Sequence, residues 1–347
     1  MVAELFYDAS RPPLVVAELS ANHNQSLDRA LALVDAAADA GADAVKLQTF
    51  RPEWITLDAD HSEFLIQNES SPWFGRRLFD LYAEAALPLE WHEPLFQRAR
   101  ERGILAFSAP FSLEAVDFLE SIDCPAYKIA SFECVDIPLI ERAAITGKPI
   151  VVSTGMASAA EIDEAVCAVR RHQARGPVLL KCTSSYPAPV ENSHLVTLEA
   201  MRRLWSVPAG LSDHSLSPAP ALVATTMGAR MIEKHLTLDR ADGGPDAAFS
   251  LEPTEFAELT RLVREAHAAI GEVRFGGTTD AESHARKRRR SLYVSRDVRA
   301  GTPLSADNIR SVRPGHGLAT RHYEEVLGRH FRRDLPKGTP LAWFDIE

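Results

Sequence analysis

A chain of 347 residues exceeds one ordinary domain and fits a barrel of roughly 250 residues carrying a small appendage. Its 46% hydrophobic content supports a large buried core, but no apolar run approaches the ~18 residues a membrane span needs. The four cysteines (Cys124, Cys134, Cys167, Cys182) form no C-x-x-C pair and suggest no disulfide scaffold. The opening MVAELFYDAS lacks the basic-then-apolar pattern of a secretory leader, so a cytoplasmic protein with reduced thiols is expected. The net charge of −10 is uneven: residues 284–347 hold 14 Lys and Arg against 7 Asp and Glu, a net of +7, leaving −17 on the other 283 residues. A basic C-terminal module on an acidic body could take nucleic acid or an anionic ligand, or dock on its own body or that of a second subunit.

In chain order, eight short apolar runs read as strands: LVVAEL (14–19), AVKLQT (44–49), ILAFSA (104–109), AYKIA (126–130), PIVVST (149–154), VLLKCT (178–183), PAGLS (208–212) and RMIEKH (230–235). Between them lie helical stretches such as SLDRALALVDAAADAG (26–41), with Ser26 a candidate N-cap and a glycine stop. Strand–helix alternation predicts right-handed βαβ crossovers and a parallel sheet, and eight units predict a closed (β/α)₈ barrel. The rival, an open doubly wound sheet, lacks its Gly-x-Gly-x-x-Gly after the first strand. The stretch 50–90, with Pro52, Trp54, Trp73 and Tyr82, is long for a barrel connection and is expected to decorate the mouth as a lid. Asn22, His23 and Asn24 follow strand one and either line the mouth or cap the next helix. The expected boundaries are a barrel over 1–275, a Gly-rich then basic linker over 276–290, and a small β-rich domain over 291–347. In that last segment DVRAGTPLSADNI (297–309) resembles DLPKGTPLAWFDI (334–346) at an offset of 37 residues, which predicts pseudo-two-fold symmetry.

Active sites of such barrels sit at the C-terminal strand ends. Here those ends carry Glu18, Lys46, Gln48, Ser108, Lys128, Ser131, Ser153, Thr154, Thr183, Ser212, Asp213, His214, Glu233, Lys234 and His235. Strand alternation puts Lys46 with Gln48 on one face, and Glu233 with His235. Lys46, Lys128, Ser131, Ser153 and Ser212 are cations and hydroxyl donors suited to phosphate or carboxylate. His214 and His235 end adjacent strands, so they either meet on one divalent metal or serve structural or acid–base roles. Glu18, Glu133 and Glu233 are general bases or partners of the lysines. With no nucleotide loop, a phosphorylated small metabolite fits. The KRRR run (287–290) lacks aromatic interleaving and reads as a solvated linker rather than a nucleic-acid patch.

These residues fall within AELSANHNQS (17–26), AVKLQTF (44–50), PAYKIASFE (125–133), STGM (153–156), KCTSSYPAP (181–189), GLSDH (210–214), EKHLTL (233–238) and GGPDAAFSLEP (243–253), strings that resemble the sialic acid synthase family. SVRPGHGL (311–318) resembles the motif of that family's C-terminal antifreeze-like (SAF) domain. The resemblance spans essentially the whole chain in order. NHNQS, the Trp- and His-rich stretch 73–92 and GGPDAAFSLEP look most like the branch that makes pseudaminic acid. The resemblance implies an α/β fold, a (β/α)₈ barrel with a SAF domain. It implies condensation of phosphoenolpyruvate with 2,4-diacetamido-2,4,6-trideoxy-L-altrose; the alternatives are N-acetylmannosamine and a 2,4-diacetamido-trideoxymannose. It places Lys46, Lys128, Ser131, Ser153 and Ser212 on phosphoenolpyruvate. It gives His214 and His235 to a divalent metal, usually Mn²⁺, with Mg²⁺ or Co²⁺ as alternatives. Glu18, Gln48, Glu133, Tyr186 and Asp246 would face the sugar or assist proton transfer, with Glu233 and His235 among the catalytic groups. Arg313 would reach a partner subunit's barrel in a domain-swapped homodimer. No nucleic-acid or membrane partner is implied.

Three positions depart from the sialic branch. Ser184 stands where a phosphate-binding Asn is found and is expected to keep a donor there. A third-strand Thr is Ala109, leaving open whether Ser108 replaces it. An aromatic sugar contact falls in the basic run near Lys287, which points to a different sugar. A non-catalytic surface-binding protein is disfavoured by the lysines and histidines. A synthase acting on a phosphorylated aldose is disfavoured by the SAF module.

Overall fold

The computed structural model describes residues 2–69, 71 and 73–347, and they fall into two compact units, Met1–Gly271 and Glu272–Glu347. In the first, eight parallel strands close into a barrel in sequence order: β1 (Leu14–Glu18), β2 (Ala44–Thr49), β3 (Leu105–Pro110), β4 (Tyr127–Ile129), β5 (Ile150–Ser153), β6 (Val178–Cys182), β7 (Ala209–Asp213) and β8 (Met231–His235). Closure is made by β1 on β8, with Glu18 beside His235, while β1 meets β2 with Glu18 beside Lys46. The strands are buried on both faces, which is why they read as nearly continuous apolar runs rather than alternating ones.

The helices start where side chains satisfy free backbone donors. Ser26 accepts from Arg29 N ahead of the helix Leu27–Asp39, and Gly41 turns the chain at φ 79°, a conformation open to glycine. Ser158 and Glu161 form a reciprocal capping box on the helix Ala159–Arg170. At the other end of the barrel, Phe6 of the helix Val2–Tyr7 is buried edge-on against Phe107 of β3. Arg230 donates to the carbonyls of Leu5, Arg11 and Pro12. No described helix is long and apolar enough to cross a membrane.

The second unit realises the internal repeat. The strands β9 (Ser291–Val294) and β10 (Ile309–Val312) pair antiparallel. Equivalent residues 37 apart make equivalent bonds. Val298 and Leu335 exchange both backbone hydrogen bonds at 2.9 Å. Ala300 N donates to Asp334 Oδ1 while Lys337 N donates to Asp297 Oδ1, each at 2.8 Å. Its core repeats too, as Val294/Phe331, Val298/Leu335, Leu304/Leu341 and Ile309/Ile346. The Gly-rich segment read as linker contains a short helix. Thr279 and Glu282 form a capping box that starts a helix, Asp280–Ala285, whose short polar sequence gives no apolar periodicity to read.

Candidate active site

The C-terminal ends of the strands open into a cavity of about 540 Å³. Its floor is an ion cluster. Lys46 Nζ lies 2.5 Å from Glu18 Oε2 and 3.5 Å from Glu233 Oε1. Lys128 Nζ lies 3.2 Å from the same Glu233 oxygen, and Ser212 Oγ donates to it at 2.9 Å. Gln48 Nε2 donates to Glu18 Oε1 at 3.2 Å. All six come from inward positions of five strands, β1, β2, β4, β7 and β8. Burial alone would raise the Glu233 carboxyl, but Lys128 and Lys46 outweigh it and hold it at about 2. Burial works against the charge of Lys46, but Glu18 and Glu233 overcome this and lift its pKa above the ordinary lysine value. Lys128 is lowered, chiefly by burial.

Beside the floor, the rings of His214 and His235 stand 5.2 Å apart, centre to centre. His214 Nδ1 sits 3.0 Å from the Thr183 carbonyl. His235 Nδ1 is buried with no hydrogen-bond partner among the described residues. Burial, with the charge of His214 adding to it, keeps His235 well below the usual imidazole range, so its ring is neutral and has a lone pair to give. Tyr186 lies 4.5 Å from His214 and 4.9 Å from Phe249, ring to ring, and Phe249 lies 5.0 Å from His235. Trp73 closes this aromatic wall, 5.7 Å from Tyr186, with Nε1 donating to the Pro245 carbonyl at 3.0 Å. The segment read as lid therefore supplies wall residues, including Trp73 and Tyr82, whereas Trp54 stacks under Arg51 outside the cavity lining.

On the remaining side, Ser131 and Ser153 line the cavity, and Ser153 Oγ is buried without a partner among the described residues. Ser184 is not among the residues that line the cavity and lies beside Gly155, as Ser131 does. A Cβ on Gly155 would fall 2.3 Å from Ser184 Oγ and 2.7 Å from Ser131 Cβ, so only glycine lets these hydroxyls converge. Glu133 lines the same cavity, with Oε2 buried and no ion pair or hydrogen bond to that oxygen among the described residues; burial raises its carboxyl to about 7. Asp246 completes the wall from the segment after β8, its carboxylate against the Ser20 hydroxyl.

The structure thus gathers Glu18, Lys46, Gln48, Lys128, Ser131, Glu133, Ser153, Tyr186, Ser212, His214, Glu233, His235 and Asp246 around one space. Arg313 lies exposed in the second unit. Several strand-end residues point away. Ser108 does not replace the missing threonine: it is buried outside the cavity lining, 2.6 Å from Thr49 Oγ1, which in turn meets His92 at 2.7 Å. Lys234 pairs with Asp213 at 2.6 Å on the outward face. Asn22 does not line the mouth either: it ties β1 to the Leu236 carbonyl and Ser250 Oγ, both at 2.8 Å. Two cavity residues with a hydroxyl or thiol escaped the sequence reading. Ser20 lies past the end of β1, in a turn that no strand periodicity reaches. Cys182 was read only as a reduced thiol, although it ends β6 and lies 3.9 Å from His214 Nδ1. Burial pushes that thiol up, but His214 outweighs it and brings it to about 7.

Comparison with known proteins follows the same division of the chain. The NeuB family profile matches residues 33–275, and the SAF domain profile matches residues 289–347. A pseudaminic acid synthase of Helicobacter pylori is 41% identical over 337 residues, covering 97% of this chain and 98% of the relative. A pseudaminic acid synthase of Campylobacter jejuni is 39% identical over 346 residues, covering 98% of each. Among solved structures, the N-acetylneuraminic acid (sialic acid) synthetase of Leptospira borgpetersenii, in complex with citrate, superposes with a TM-score of 0.68 at 31% identity. That match covers 79% of this chain and 90% of the other.

Proposed function

The chain belongs to the NeuB family, and from that premise we propose that it is a pseudaminic acid synthase, condensing phosphoenolpyruvate with 2,4-diacetamido-2,4,6-trideoxy-L-altrose to give pseudaminic acid and phosphate. The observation that carries the reading is the pair of buried lysines sharing Glu233 in one cavity with two imidazoles and a glutamate, Glu133, that has no ion pair among the described residues.

In this reading Lys46 and Lys128 take the phosphate and carboxylate of phosphoenolpyruvate, with Ser131, Ser153, Ser184 and Ser212 as hydroxyl donors. Glu18 and Glu233 keep the lysines charged and fixed. Gln48, Tyr186 and Asp246 face the sugar. C3 of phosphoenolpyruvate attacks the aldehyde carbon of the open-chain sugar, held within reach by these contacts. Positive charge develops at C2, water adds there, and the adduct loses phosphate by C–O cleavage. Glu133, whose carboxyl titrates near neutrality, takes the proton of that water.

A divalent cation, Mn²⁺ in this reading, would be held by His214 and His235. The residues fit it: His235 offers a buried, unpartnered nitrogen, and the floor sets two lysines against two carboxylates, with no surplus positive charge for a multiply charged anion. No third His, Cys, Asp or Glu joins them among the described residues, so water and substrate oxygens would fill the other positions. When bound, the ion supplies polarisation of a carbonyl oxygen. Arg313 is assigned to the sugar's N-acyl group in a second subunit's barrel, which makes the working unit a domain-swapped homodimer. The opposed charges of the basic C-terminal module and the acidic body support that assignment. Four free cysteines support a reducing, cytoplasmic setting.

The test is turnover of phosphoenolpyruvate and Mn²⁺ with the diacetamido-trideoxyaltrose, N-acetylmannosamine and the trideoxymannose isomer, reading phosphate release and product mass. Highest kcat/KM for the altrose compound is expected. Preference for another sugar would overturn the sugar assignment, and no phosphate release with any acylamino sugar would overturn the function.

A further inference from the structure

After β1 the chain makes a tight turn through residues 19–25 that holds three non-glycine residues in the left-handed region: Ser20 at φ 46°, Asn24 at 45° and Gln25 at 54°. This conformation is unfavourable for a residue with a Cβ, and serine has less claim to it than asparagine. A glycine would sit there without strain, so the side chains present call for a reason. Each is engaged. Asn24 Nδ2 donates to the Gly243 carbonyl at 3.1 Å, and Gln25 Nε2 donates to the carbonyls of Glu84 and Ala86 at 2.8 Å. The turn thus fastens the segment after β8 and the end of the lid to β1.

Ser20 is the member of this set that reaches the cavity. Its hydroxyl donates to Asp246 Oδ2 and accepts from Gln48 Nε2 at 3.1 Å. Its own N–H donates to Glu18 Oε1 at 2.9 Å, and the next N–H, of Ala21, reaches Asp246 Oδ2 at 3.4 Å. A continuous chain of polar contacts therefore runs Asp246–Ser20–Gln48–Glu18–Lys46, from the wall to the ionic floor. Both contacts to Asp246 fall on Oδ2, which leaves Oδ1 for a ligand. Both hydrogen bonds of the Gln48 amide use its nitrogen, which leaves Oε1. The two groups Ser20 holds thus offer acceptors, and the matching ligand edge is one rich in N–H and O–H donors, as an acylamino sugar is.

We propose that Ser20 is a positioning residue that determines sugar recognition, aiming Asp246 and Gln48 at the donor groups of the acylamino sugar; this rests on the synthase reading above. Ser20→Gly removes the hydroxyl while relieving the backbone, and Ser20→Ala removes it at unchanged strain. In steady-state kinetics of the full-length protein, both variants are expected to raise KM for the sugar by about tenfold while KM for phosphoenolpyruvate stays within about twofold. Asp246→Asn should weaken the sugar similarly, and adding Ser20→Gly to it should cost less than about a further twofold, because the two residues act as one unit. An unchanged sugar KM in the glycine variant, or equal rises for both substrates in both variants, would overturn the proposal. Wild-type protein that turns over no acylamino sugar would overturn the reading beneath it, and the proposal with it. Wild-type turnover with an indifferent Ser20 would overturn the proposal alone.

Discussion

Lys46 and Lys234 make similar contacts in opposite settings. Each is a buried lysine on a barrel strand, with a carboxylate oxygen at 2.5 Å and 2.6 Å respectively. Lys234 points outward and is saturated. It also donates to Ser217 O at 3.1 Å and Ser215 Oγ at 3.3 Å, while Asp213 accepts from Ser215 N. That arrangement staples the turn after β7 to β8. Lys46 points inward and shares Glu233 with Lys128 and Ser212, while Glu233 Oε2 and Ser153 Oγ nearby have no hydrogen-bond partner among the described residues. A buried ion pair alone therefore does not mark a site. Unused polar capacity gathered around a cavity does.

The sharpest break between the two is a matched pair of substitutions. Lys46→Met should cut kcat/KM by roughly 10³-fold or more, because in the proposed reading the phosphoenolpyruvate anion loses a fixed cation. Lys234→Met leaves Asp213 buried without its cation and should cost about 3–5 kcal/mol of stability in urea unfolding, with turnover per folded molecule retained. The reverse pattern would mean that the inward and outward faces had been misassigned.

His235→Ala is the next largest effect. Its Nδ1 has no hydrogen-bond partner among the described residues, so the fold should tolerate the change, while the divalent cation proposed for this site is lost and turnover falls roughly 10²–10³-fold. Metal content by elemental analysis, together with an unchanged melting temperature, checks this. Retained metal would remove the ligand assignment.

Glu133 gives a smaller effect with a pH signature. Its carboxyl, raised by burial from 4.5 to about 7, makes kcat/KM rise with pH through about 7 if it acts as the base. Glu133→Gln should lower turnover about 10²-fold and abolish that limb. The same shift acts on stability with a definite sign. The folded state binds this proton more tightly than the unfolded state, so the contribution is complete below about pH 4.5 and is lost as pH rises through about 7. In the glutamine variant that slope should vanish from the stability profile.

These contrasts also show what could be read from the chain. The eight strands were legible because a doubly covered parallel strand must be apolar on both faces. Against such runs, Lys46, Lys128 and Glu233 stand out as residues that burial would not tolerate without a partner. Alternation then put Lys46 on one face with Gln48 and Glu233 on one face with His235, and the structure turns both pairs inward. The outward residues were less legible: Ser108, Asp213 and Lys234 look the same in sequence, and only the Thr49–His92 contact or the turn after β7 shows where their hydrogen bonds go. Ser20 and Trp73 were harder still, because their contacts come from turns whose partners lie 226 and 172 residues away. No local pattern encodes such a meeting. The repeat at 297–309 and 334–346 is the opposite case, since its symmetry is written in the sequence itself.

The smallest effect separates two hydroxyls that the sequence could not tell apart. Ser153 ends β5, lines the cavity and keeps its buried Oγ without a partner among the described residues, and in the proposed reading a phosphate oxygen is the acceptor it lacks. Ser153→Ala should raise KM for phosphoenolpyruvate about tenfold with little change in melting temperature, since no protein hydrogen bond is lost. Ser108 on β3 already bonds Thr49, which meets His92, and burial keeps that histidine neutral with its pKa at about 4. Ser108→Ala should therefore leave both KM values unchanged and cost about 1 kcal/mol of stability, because it leaves a buried hydroxyl short of a partner. A phosphoenolpyruvate KM that responds to Ser108 and not to Ser153 would place the phosphate outside the Ser131–Ser153–Ser184 cradle.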